Sequence, residues 1–354
     1  MNKIVVGMGF GDEGKGTAVD YFTDNATKTY FPSDVVNVRF CGGHQAGHRV
    51  VLPSGHSHIF SQFGSGTFHG VKTLHDRNSI VEPLAMRREY EALKNFVNFK
   101  DVMRIHPKCL VTTPLQKYMD FHDGYRSCGV GVGKTKEYFL KYGNDAIFYG
   151  DSVQDKLDKL HLMRERYVDS FYDHSGTYEV LEKLINFNPF AWCNDTLEMF
   201  EAPHEEHFKC YIFEGTQGFG LDEVYGTIPY TTWSSVTTRY ALDFCRKKGI
   251  SAEIVGVIRT FFSRHGDGPF NESDVGIDLK DDHNHFNKFQ GPIKYGTFGD
   301  NLGIFRNAEK VVKPDGIFLT WCDKNPKGFA PSLISTLIKW WSYGPTYKDK
   351  KSTL

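Results

Sequence analysis

The sequence lacks an excess of charge of either sign. Its 354 residues include 42 Lys and Arg against 43 Asp and Glu. Chains that bind nucleic acid or membrane surfaces through their overall charge usually carry a clear basic excess. We therefore expect neither nucleic acid nor a membrane among the partners of this protein.

Paired cysteines and long apolar runs are also missing. The seven cysteines are scattered along the chain and form no Cys-x-x-Cys pair. An odd and scattered set is typical of reduced thiols rather than of a disulfide framework. No stretch approaches the roughly 18 apolar residues that a membrane-spanning helix needs. These absences predict a soluble protein of the cytoplasm.

What the sequence does contain is a glycine-rich loop close to its N-terminus. Residues 3–7 predict a short buried strand, residues 7–17 are dense in glycine, and a helix is predicted from Thr17 onward. This order of elements directs backbone N–H groups and a helix N-terminus toward an anion, usually a phosphate. The glycine spacing is that of a P-loop up to Lys15, but Gly16 stands where a P-loop has Ser or Thr. The segment therefore predicts a P-loop-like phosphate-binding loop.

Further buried strands and glycine loops follow along the chain. Strands are predicted at residues 35–40, 210–215, 253–259 and 316–321. Polar glycine loops follow several of these strands, and ligands of open α/β sheets bind at such strand ends. The alternation predicts an α/β fold with a large, mainly parallel central sheet. We predict a single domain over residues 1–354, with a helical insertion at residues 151–206.

Four groups of motifs carry a resemblance to a known family. They are Gly11-Asp-Glu-Gly-Lys-Gly16, Gly43-His-Gln-Ala-Gly-His48, Phe213-Glu-Gly-Thr-Gln-Gly218 with Gly226-Thr-Ile-Pro-Tyr230, and Gly256-Val-Ile-Arg259 with Arg264-His-Gly-Asp-Gly-Pro-Phe270. In this order they resemble the motifs of the adenylosuccinate synthetase family, and the resemblance extends over residues 3–345. It implies a ligase of purine biosynthesis that joins L-aspartate to C6 of IMP, cleaves GTP and requires Mg²⁺.

The resemblance also implies catalytic roles in the glycine loops. Asp12 matches the general base that removes the purine N1 proton, and Asp12 and the carbonyl of Gly47 match magnesium ligands. His48 matches the donor to O6 and to the transferring phosphoryl group, and Lys15 and Gln217 complete the catalytic set. Structural interpretations stay open, because Asp is also a favoured helix N-cap and a buried histidine is often satisfied by its neighbours.

Binding residues are implied at further positions. For the purine nucleoside monophosphate and aspartate they are Gln45, Ser127, Cys128, Lys141, Thr232, Thr297 and Asp300. For the nucleoside triphosphate they are Gly11, Glu13, Gly14, Gly16, Thr17, Asp323, Ser342 and Gly344. Family members are homodimers in which a cation of the neighbouring subunit reaches the nucleotide phosphate, and Lys141 falls in the corresponding region.

The loop at residues 295–302 departs from the family pattern. Asp300 and Leu302 stand where the family has arginines that clamp the aspartate carboxylates and reach the ribose. Neither side chain binds an anion in that way. Either nearby cations such as Lys294 and Arg306 replace the arginines, or the specificity for amino acid and sugar has changed. Trp321 replaces a family lysine, which leaves both GTP and ATP open as the phosphoryl donor.

The short chain and residues 60–67 are similar to phage-type members of the family. Those relatives form the succino derivative of 2-aminodeoxyadenylate from dGMP, and we expect them to have a small residue beside the 2-amino group. Because this chain keeps Asp12 there, the sequence favours IMP or dIMP as the substrate. The alternatives are dGMP with ATP or dATP, and a nucleotide-binding regulator without activity.

Overall fold

The structure is a computed structural model that describes residues 1–122, 128–172, 178–204, 207–279 and 292–353. Within these ranges the strands are β1 (Asn2–Gly7), β2 (Val35–Arg39), β3 (His48–Val51), β4 (Ser57–Phe60), β5 (Lys72–His75), β6 (Ile80–Val81), β7 (Met103–Ile105), β8 (Leu110–Val111), β9 (Cys210–Gly218), β10 (Ala252–Arg259), β11 (Phe261–Arg264), β12 (Lys294–Thr297), β13 (Gly316–Thr320), β14 (Ile338–Ser342) and β15 (Lys350–Ser352). The α-helices are α1 (Lys15–Thr27), α2 (Pro83–Leu93), α3 (Phe99–Val102), α4 (Pro114–His122), α5 (Val132–Tyr142), α6 (Val153–Tyr172), α7 (Tyr178–Asn186), α8 (Pro189–Thr196), α9 (Arg239–Lys248) and α10 (Leu302–Val312).

Nine of these strands form one central sheet. Their order is β15-β14-β13-β10-β1-β9-β2-β5-β7. Neighbouring strands run parallel, except that β15 runs antiparallel to β14 at one edge. Three further pairs, β3–β4, β6–β8 and β11–β12, lie outside the central sheet. The predicted α/β fold with a large, mainly parallel central sheet is confirmed.

The central strands are buried on both faces. In β1, Ile4, Val5 and Val6 are all fully buried, and their side chains alternate between two apolar layers. Helix α1 covers one layer with Val19 and Phe22, which pack in the same cluster as Val5. Strands covered on both faces need continuous β-branched and apolar runs rather than an alternating pattern. This requirement explains why short apolar runs in the sequence were sufficient to predict the central strands.

A second apolar core is built mainly by helices. It joins side chains of α4 to α8, including Leu115, Tyr138, Leu160, Leu184 and Trp192. Helices α6, α7 and α8 fall within residues 151–206, the segment for which the sequence predicts a helical insertion. The division into one domain with an insertion stays a prediction. No α-helix of the described ranges is both long and apolar enough to cross a membrane.

Candidate active site

A cleft of ≈ 900 Å³ opens where the loops after β1, β2, β9 and β10 meet. The predicted site residues that line it are Gly11, Asp12, Gly14, Lys15, Gly16, Gln45, Gly47, His48, Cys128, Gln217 and Thr232. Since β1, β2, β9 and β10 are parallel and adjacent, their carboxyl ends meet at one edge of the sheet. Ser127 lies outside the described residues.

Glu13 holds the first glycine loop in shape from the inside. Its Oε1 accepts hydrogen bonds from the backbone N–H groups of Gly9 and Gly11, at 2.9 and 2.8 Å. Its Oε2 lies 2.9 Å from Nζ of Lys15, which also donates to the carbonyl of Gly11 at 2.8 Å. Gly14 precedes α1 with φ 93, a conformation that favours glycine. The buried Glu13 carboxylate therefore stabilises the conformation of the loop, and the Lys15 ammonium forms an ion pair with that carboxylate.

Asp12, in contrast, reaches the cleft. Its Oδ2 lies 2.7 Å from Nε2 of His265 and accepts a hydrogen bond from Oγ of Ser263 at 3.2 Å. Burial alone would raise the pKa of Asp12, but its contact with His265 and the charges of Arg259 and Lys15 outweigh burial and lower that pKa. The carboxylate is therefore ionised at neutral pH, as a proton acceptor or a metal ligand must be.

His48 lies at the end of the second glycine loop and begins β3. Its Nδ1 contacts Oε1 of Glu214, a carboxylate with no solvent exposure. Nη1 of Arg39 lies 3.2 Å from the same oxygen, and the backbone N–H of Ser65 donates to Oε2 at 3.0 Å. Nε2 of His48 is buried and has no hydrogen-bond partner among the described residues. Because the ring lines the cleft, this nitrogen is available to a ligand.

Burial and charge together set the protonation of the His48–Glu214 pair. Burial would raise the pKa of Glu214, yet Arg39 and His48 outweigh it and bring that pKa to about 2. Burial lowers the pKa of His48, Glu214 opposes this effect, and Arg39 adds to it. The arrangement is a neutral imidazole whose Nδ1–H donates to an ionised Glu214, which leaves the lone pair of Nε2 facing the cleft.

Two glutamines also line the cleft. Oε1 of Gln217 accepts a hydrogen bond from Oγ1 of Thr216 at 2.6 Å, which fixes the orientation of its amide group. Oε1 of Gln45 is buried and has no partner in the described part of the chain. A buried polar atom without a partner is uncommon, and in a cleft it indicates a ligand position.

Several predicted nucleotide-binding residues lie outside the cleft. Thr17, Asp323, Ser342 and Gly344 belong to this group. Oγ1 of Thr17 donates to the carbonyl of Pro345 at 3.2 Å, so the C-terminal loop contacts the first turn of α1. The carbonyl of Gly344 accepts from Nζ of Lys350 at 2.6 Å and from Oγ of Ser342 at 3.2 Å. Burial lowers the pKa of Lys350 to about 8, and acidic neighbours that include Asp323 oppose the shift. These residues therefore gather beside the helix that carries the phosphate loop.

Three predicted substrate-binding residues also lie outside the cleft. Oγ1 of Thr297 and Oγ of Ser273 each donate to Oδ2 of Asp300 at 2.7 Å, so this carboxylate closes the turn before α10. Lys141 is exposed in the last turn of α5, with Nζ 4.9 Å from the ring centre of Tyr142. The binding roles of Lys141, Thr297 and Asp300 stay predictions.

The oxygen donors of the cleft fit a magnesium ion. Asp12 supplies an ionised carboxylate, and Gly47 lines the same cleft. Magnesium in nucleotide enzymes is usually held by one or two carboxylates together with substrate phosphates. Within the described ranges there is no cluster of three or more His, Cys, Asp or Glu side chains suited to a metal. A metal at Asp12 would therefore depend on ligand phosphates for its remaining oxygens.

Four residues that build the site escape prediction from the sequence. They are Glu214, Arg259, Arg264 and His265. All four fall inside motifs that carry the family resemblance. Glu214 lies inside a buried strand, where residue type alone does not separate a functional carboxylate from a structural one. A basic side chain directly after an apolar strand was the signal that could have identified the other three.

The fold and the cleft together define a class of enzyme, one that binds phosphorylated ligands at the carboxyl edge of a parallel sheet. The sequence model of the adenylosuccinate synthetase family matches residues 4–325. Adenylosuccinate synthetases of Geotalea uraniireducens (strain Rf4) and Geotalea daltonii are each 30% identical to this chain, over 91% of it and 77% of their own length. The chain therefore belongs to the adenylosuccinate synthetase family, whose members are carbon–nitrogen ligases of purine biosynthesis.

Two solved structures are similar to the whole chain. The fully ligated adenylosuccinate synthetase of Plasmodium falciparum has a TM-score of 0.74 and 16% identity, with 100% of both chains covered. The succinoaminodeoxyadenylate synthetase PurZ of cyanophage S-2L, bound to dGMP and dATP, has a TM-score of 0.67 and 17% identity, with 99% of this chain and 95% of that chain covered. At these identities the likeness concerns the fold.

Proposed function

We propose that this enzyme joins L-aspartate to C6 of IMP or dIMP and hydrolyses a nucleoside triphosphate, GTP, through a 6-phosphoryl intermediate. One observation carries the proposal. The ionised carboxylate of Asp12 and the unpartnered Nε2 of His48 line the same cleft. A proton acceptor and a fixed polar group facing one cavity match what activation of a purine 6-oxo group requires.

In the first step, the 6-oxo group becomes a better leaving group. Asp12 accepts the proton of purine N1–H, and the freed electron pair makes O6 nucleophilic. O6 then attacks the γ-phosphorus, the bond from that phosphorus to the bridging oxygen breaks, and a nucleoside diphosphate leaves. Magnesium, when bound at Asp12 and the phosphates, would neutralise charge on the transferring group. Lys15 lines the same cleft, although its ammonium is paired with Glu13, and we assign to it and to the N-terminus of α1 the role of holding the phosphates.

In the second step, the amino group of aspartate attacks C6. The C6–O6 bond breaks, inorganic phosphate leaves, and the new nitrogen loses a proton. His48 lies where negative charge develops in both steps, on O6 and on the phosphoryl oxygens. Because Glu214 accepts from Nδ1, it orients Nε2 toward that charge and stabilises the ring once Nε2 has taken up a proton from solvent, so that Nε2–H can donate to the charged oxygens.

A second candidate is the use of dGMP with ATP or dATP. Two observations favour it, the fold likeness to PurZ and the absence of cations at positions 300 and 302. Against it stands Asp12, whose carboxylate lines the cleft beside the expected purine. A 2-amino group would bring further bulk next to that side chain, so we place IMP and dIMP first.

A substrate matrix tests the proposal. Purified protein with Mg²⁺ and aspartate is given GTP, ATP or dATP together with IMP, dIMP or dGMP, and phosphate release and product mass are measured. We expect succinylated product and phosphate in equal amounts with IMP or dIMP. Turnover with dGMP alone would overturn the proposal in favour of the second candidate. Absence of product in every combination would favour a nucleotide-binding regulator.

A further inference from the structure

Arg259 is a cation of the cleft wall whose binding capacity is only partly used. It ends β10, and its Nη1 donates to Oγ of Ser263 at 3.0 Å. Its Nε is buried and has no hydrogen-bond partner among the described residues. A guanidinium presents five N–H donors in a planar fork, and a buried donor without an acceptor is costly. The geometry therefore indicates a position next to Arg259 where a ligand acceptor could bind.

Aromatic side chains hold this guanidinium in place. Its central carbon lies 5.5 Å from the ring centre of Phe261 and 5.4 Å from that of Trp321. Trp321 itself has φ 62, a left-handed conformation that is unusual for a bulky side chain. Strained backbone of this kind is concentrated at functional sites. The indole is thus held against Arg259 at the expense of backbone strain.

Several other cations of the cleft are already engaged. Lys15 is paired with Glu13, and Lys134 lies 2.7 Å from the carboxylate of Glu137. The guanidinium of Arg264 donates to the carbonyls of Asp267 and Pro269 through its three nitrogens. Two further cations of the cleft lie on other elements, Arg49 on β3 and Lys136 on α5. Arg259, in contrast, is connected to Asp12 by hydrogen bonds through Ser263. Among the described residues, Arg259 is therefore the guanidinium that we consider best placed to bind an anion beside Asp12.

The loop at residues 295–302 offers no substitute. None of its residues lines the cleft, and the carboxylate of Asp300 is held by Thr297 and Ser273. Arg306 donates to Glu309 and Ser335, and neither it nor Lys294 lines the cleft. The two cations that the sequence offers as replacements for the missing arginines are therefore not at the site.

We propose that Arg259 binds a carboxylate of the amino-acid substrate and determines the preference for aspartate. The inference rests on the proposed function, because that reaction brings a dicarboxylate into the cleft next to the acceptor of the N1 proton. A carboxylate matches the planar fork of a guanidinium in a bidentate manner. Phosphate oxygens share this chemistry, so the test separates the amino acid from the phosphoryl donor.

The test compares Arg259→Met and Arg259→Lys with wild type in steady-state kinetics. We expect Arg259→Met to raise KM for aspartate about 10- to 100-fold, with KM for both nucleotides changed less than about threefold. The ratio of kcat/KM for aspartate over asparagine should fall by a similar factor. Arg259→Lys keeps the charge and loses the fork, so it should recover part of the aspartate affinity.

Arg306→Met is the matched control, since it removes a half-buried cation near the same loop that is engaged with Glu309 and Ser335. It should leave KM for aspartate unchanged. With an active wild type, two results would overturn the inference. In one, Arg259→Met raises KM for the nucleoside triphosphate as much as KM for aspartate. In the other, both Arg259 variants leave KM for aspartate unchanged. An inactive wild type would instead count against the proposed function. Circular dichroism of each variant detects a loss of fold. If Arg259→Met does not fold, the KM of Arg259→Lys for aspartate tests the inference instead.

Discussion

At the scale of single residues, the first glycine loop divides two tasks between adjacent carboxylates. Glu13 is buried and binds two backbone N–H groups and Lys15. Asp12 faces the cleft, and its partners come from the segment after β10. The sequence predicts Asp12 as the reactive residue, but places Glu13 among the nucleotide-binding residues. The contacts show that Glu13 fixes the loop that carries Asp12, and its nucleotide-binding role stays a prediction.

Replacing Asp12 should separate catalysis from binding. Asp12→Asn keeps the size of the side chain and removes its basicity, so we expect kcat to fall by about 10²- to 10⁴-fold. Affinity for the nucleoside triphosphate without magnesium, measured by calorimetry, should change little.

The matched variant Glu13→Gln should behave differently. It removes the partner of Lys15 inside the loop, so we expect a loss of about 3–5 kcal/mol in the free energy of unfolding, as for other broken buried ion pairs.

If Asp12→Asn turned over at the wild-type rate, Asp12 would not be the base.

At the scale of elements, the fit between α1 and β3 sets the position of His48. Gly16 lies in the first turn of α1, and a Cβ atom added there would lie 2.8 Å from Cβ of His48 and 3.2 Å from Oγ of Ser65. Both contacts are closer than side chains normally tolerate. The glycine at the P-loop position of Ser or Thr therefore has a structural reason, since it lets the strand that carries His48 approach the helix.

Gly16→Ala should displace His48 and lower both stability and activity. Overpacking of this kind costs about 1–3 kcal/mol in the free energy of unfolding, and we expect kcat to fall together with it. Denaturant unfolding and steady-state kinetics measure the two effects. Gly303→Ala is the control, because that exposed glycine in α10 has nothing within 4 Å of an added Cβ. It should be neutral or stabilising by about 0.5–1 kcal/mol. Equal behaviour of the two variants would contradict the packing explanation.

The elements that could be predicted from sequence are those with a continuous apolar pattern. Strands β1, β2, β9, β10 and β13 lie within a few residues of their predicted bounds. The hairpin β3–β4 and the edge strand β15 have no such pattern, because Lys350–Ser352 is polar and pairs with β14 at one edge of the sheet. Short edge strands depend on their tertiary partners more than on local propensity. For the same reason, Glu214 became visible as a partner of His48 only once β9 and β3 were brought together.

At the scale of the whole molecule, buried histidines link stability to pH. His75 is buried at the end of β5, where its Nε2 donates to the carbonyl of Gln62 at 2.7 Å. Burial, with a contribution from Arg39, lowers the pKa of His75 to about 3. Burial likewise lowers the pKa of His44 to about 4. The folded chain therefore binds fewer protons than the unfolded chain between these values and the ordinary pKa of 6.5.

The free energy of unfolding should accordingly fall as the pH drops from about 6.5 toward 3. One histidine that stays neutral in the folded state contributes a slope of up to about 1.4 kcal/mol per pH unit. His75→Asn should reduce the slope measured by urea unfolding at several pH values. His161→Asn, at an exposed position of α6, should leave it unchanged. A wild-type slope in His75→Asn would show that His75 does not carry this linkage.

Assembly is the remaining property of the whole molecule, and Lys141 provides a way to test it. Its side chain is exposed on α5 and does not line the cleft of its own chain. If a neighbouring subunit supplies Lys141 to the phosphate of the purine nucleotide, Lys141→Gln should raise KM for that nucleotide about tenfold or more, because a charge-assisted hydrogen bond is lost. The free energy of unfolding should hardly change at so exposed a position.

Mixing two impaired variants distinguishes a shared site from a separate one. In a dimer of one Asp12→Asn chain and one Lys141→Gln chain, one site carries both substitutions and the other carries neither. The two variants are mixed 1:1, unfolded and refolded together, and assayed at low nucleotide concentration. About half of the dimers are then mixed, and each mixed dimer has one intact site of two. The mixture should therefore regain about a quarter of wild-type activity. If Lys141 acts within its own chain, every site contains a substitution and mixing restores nothing. Activity that stays at the sum of the separate variants would thus exclude a shared site at Lys141, even if the protein is a dimer.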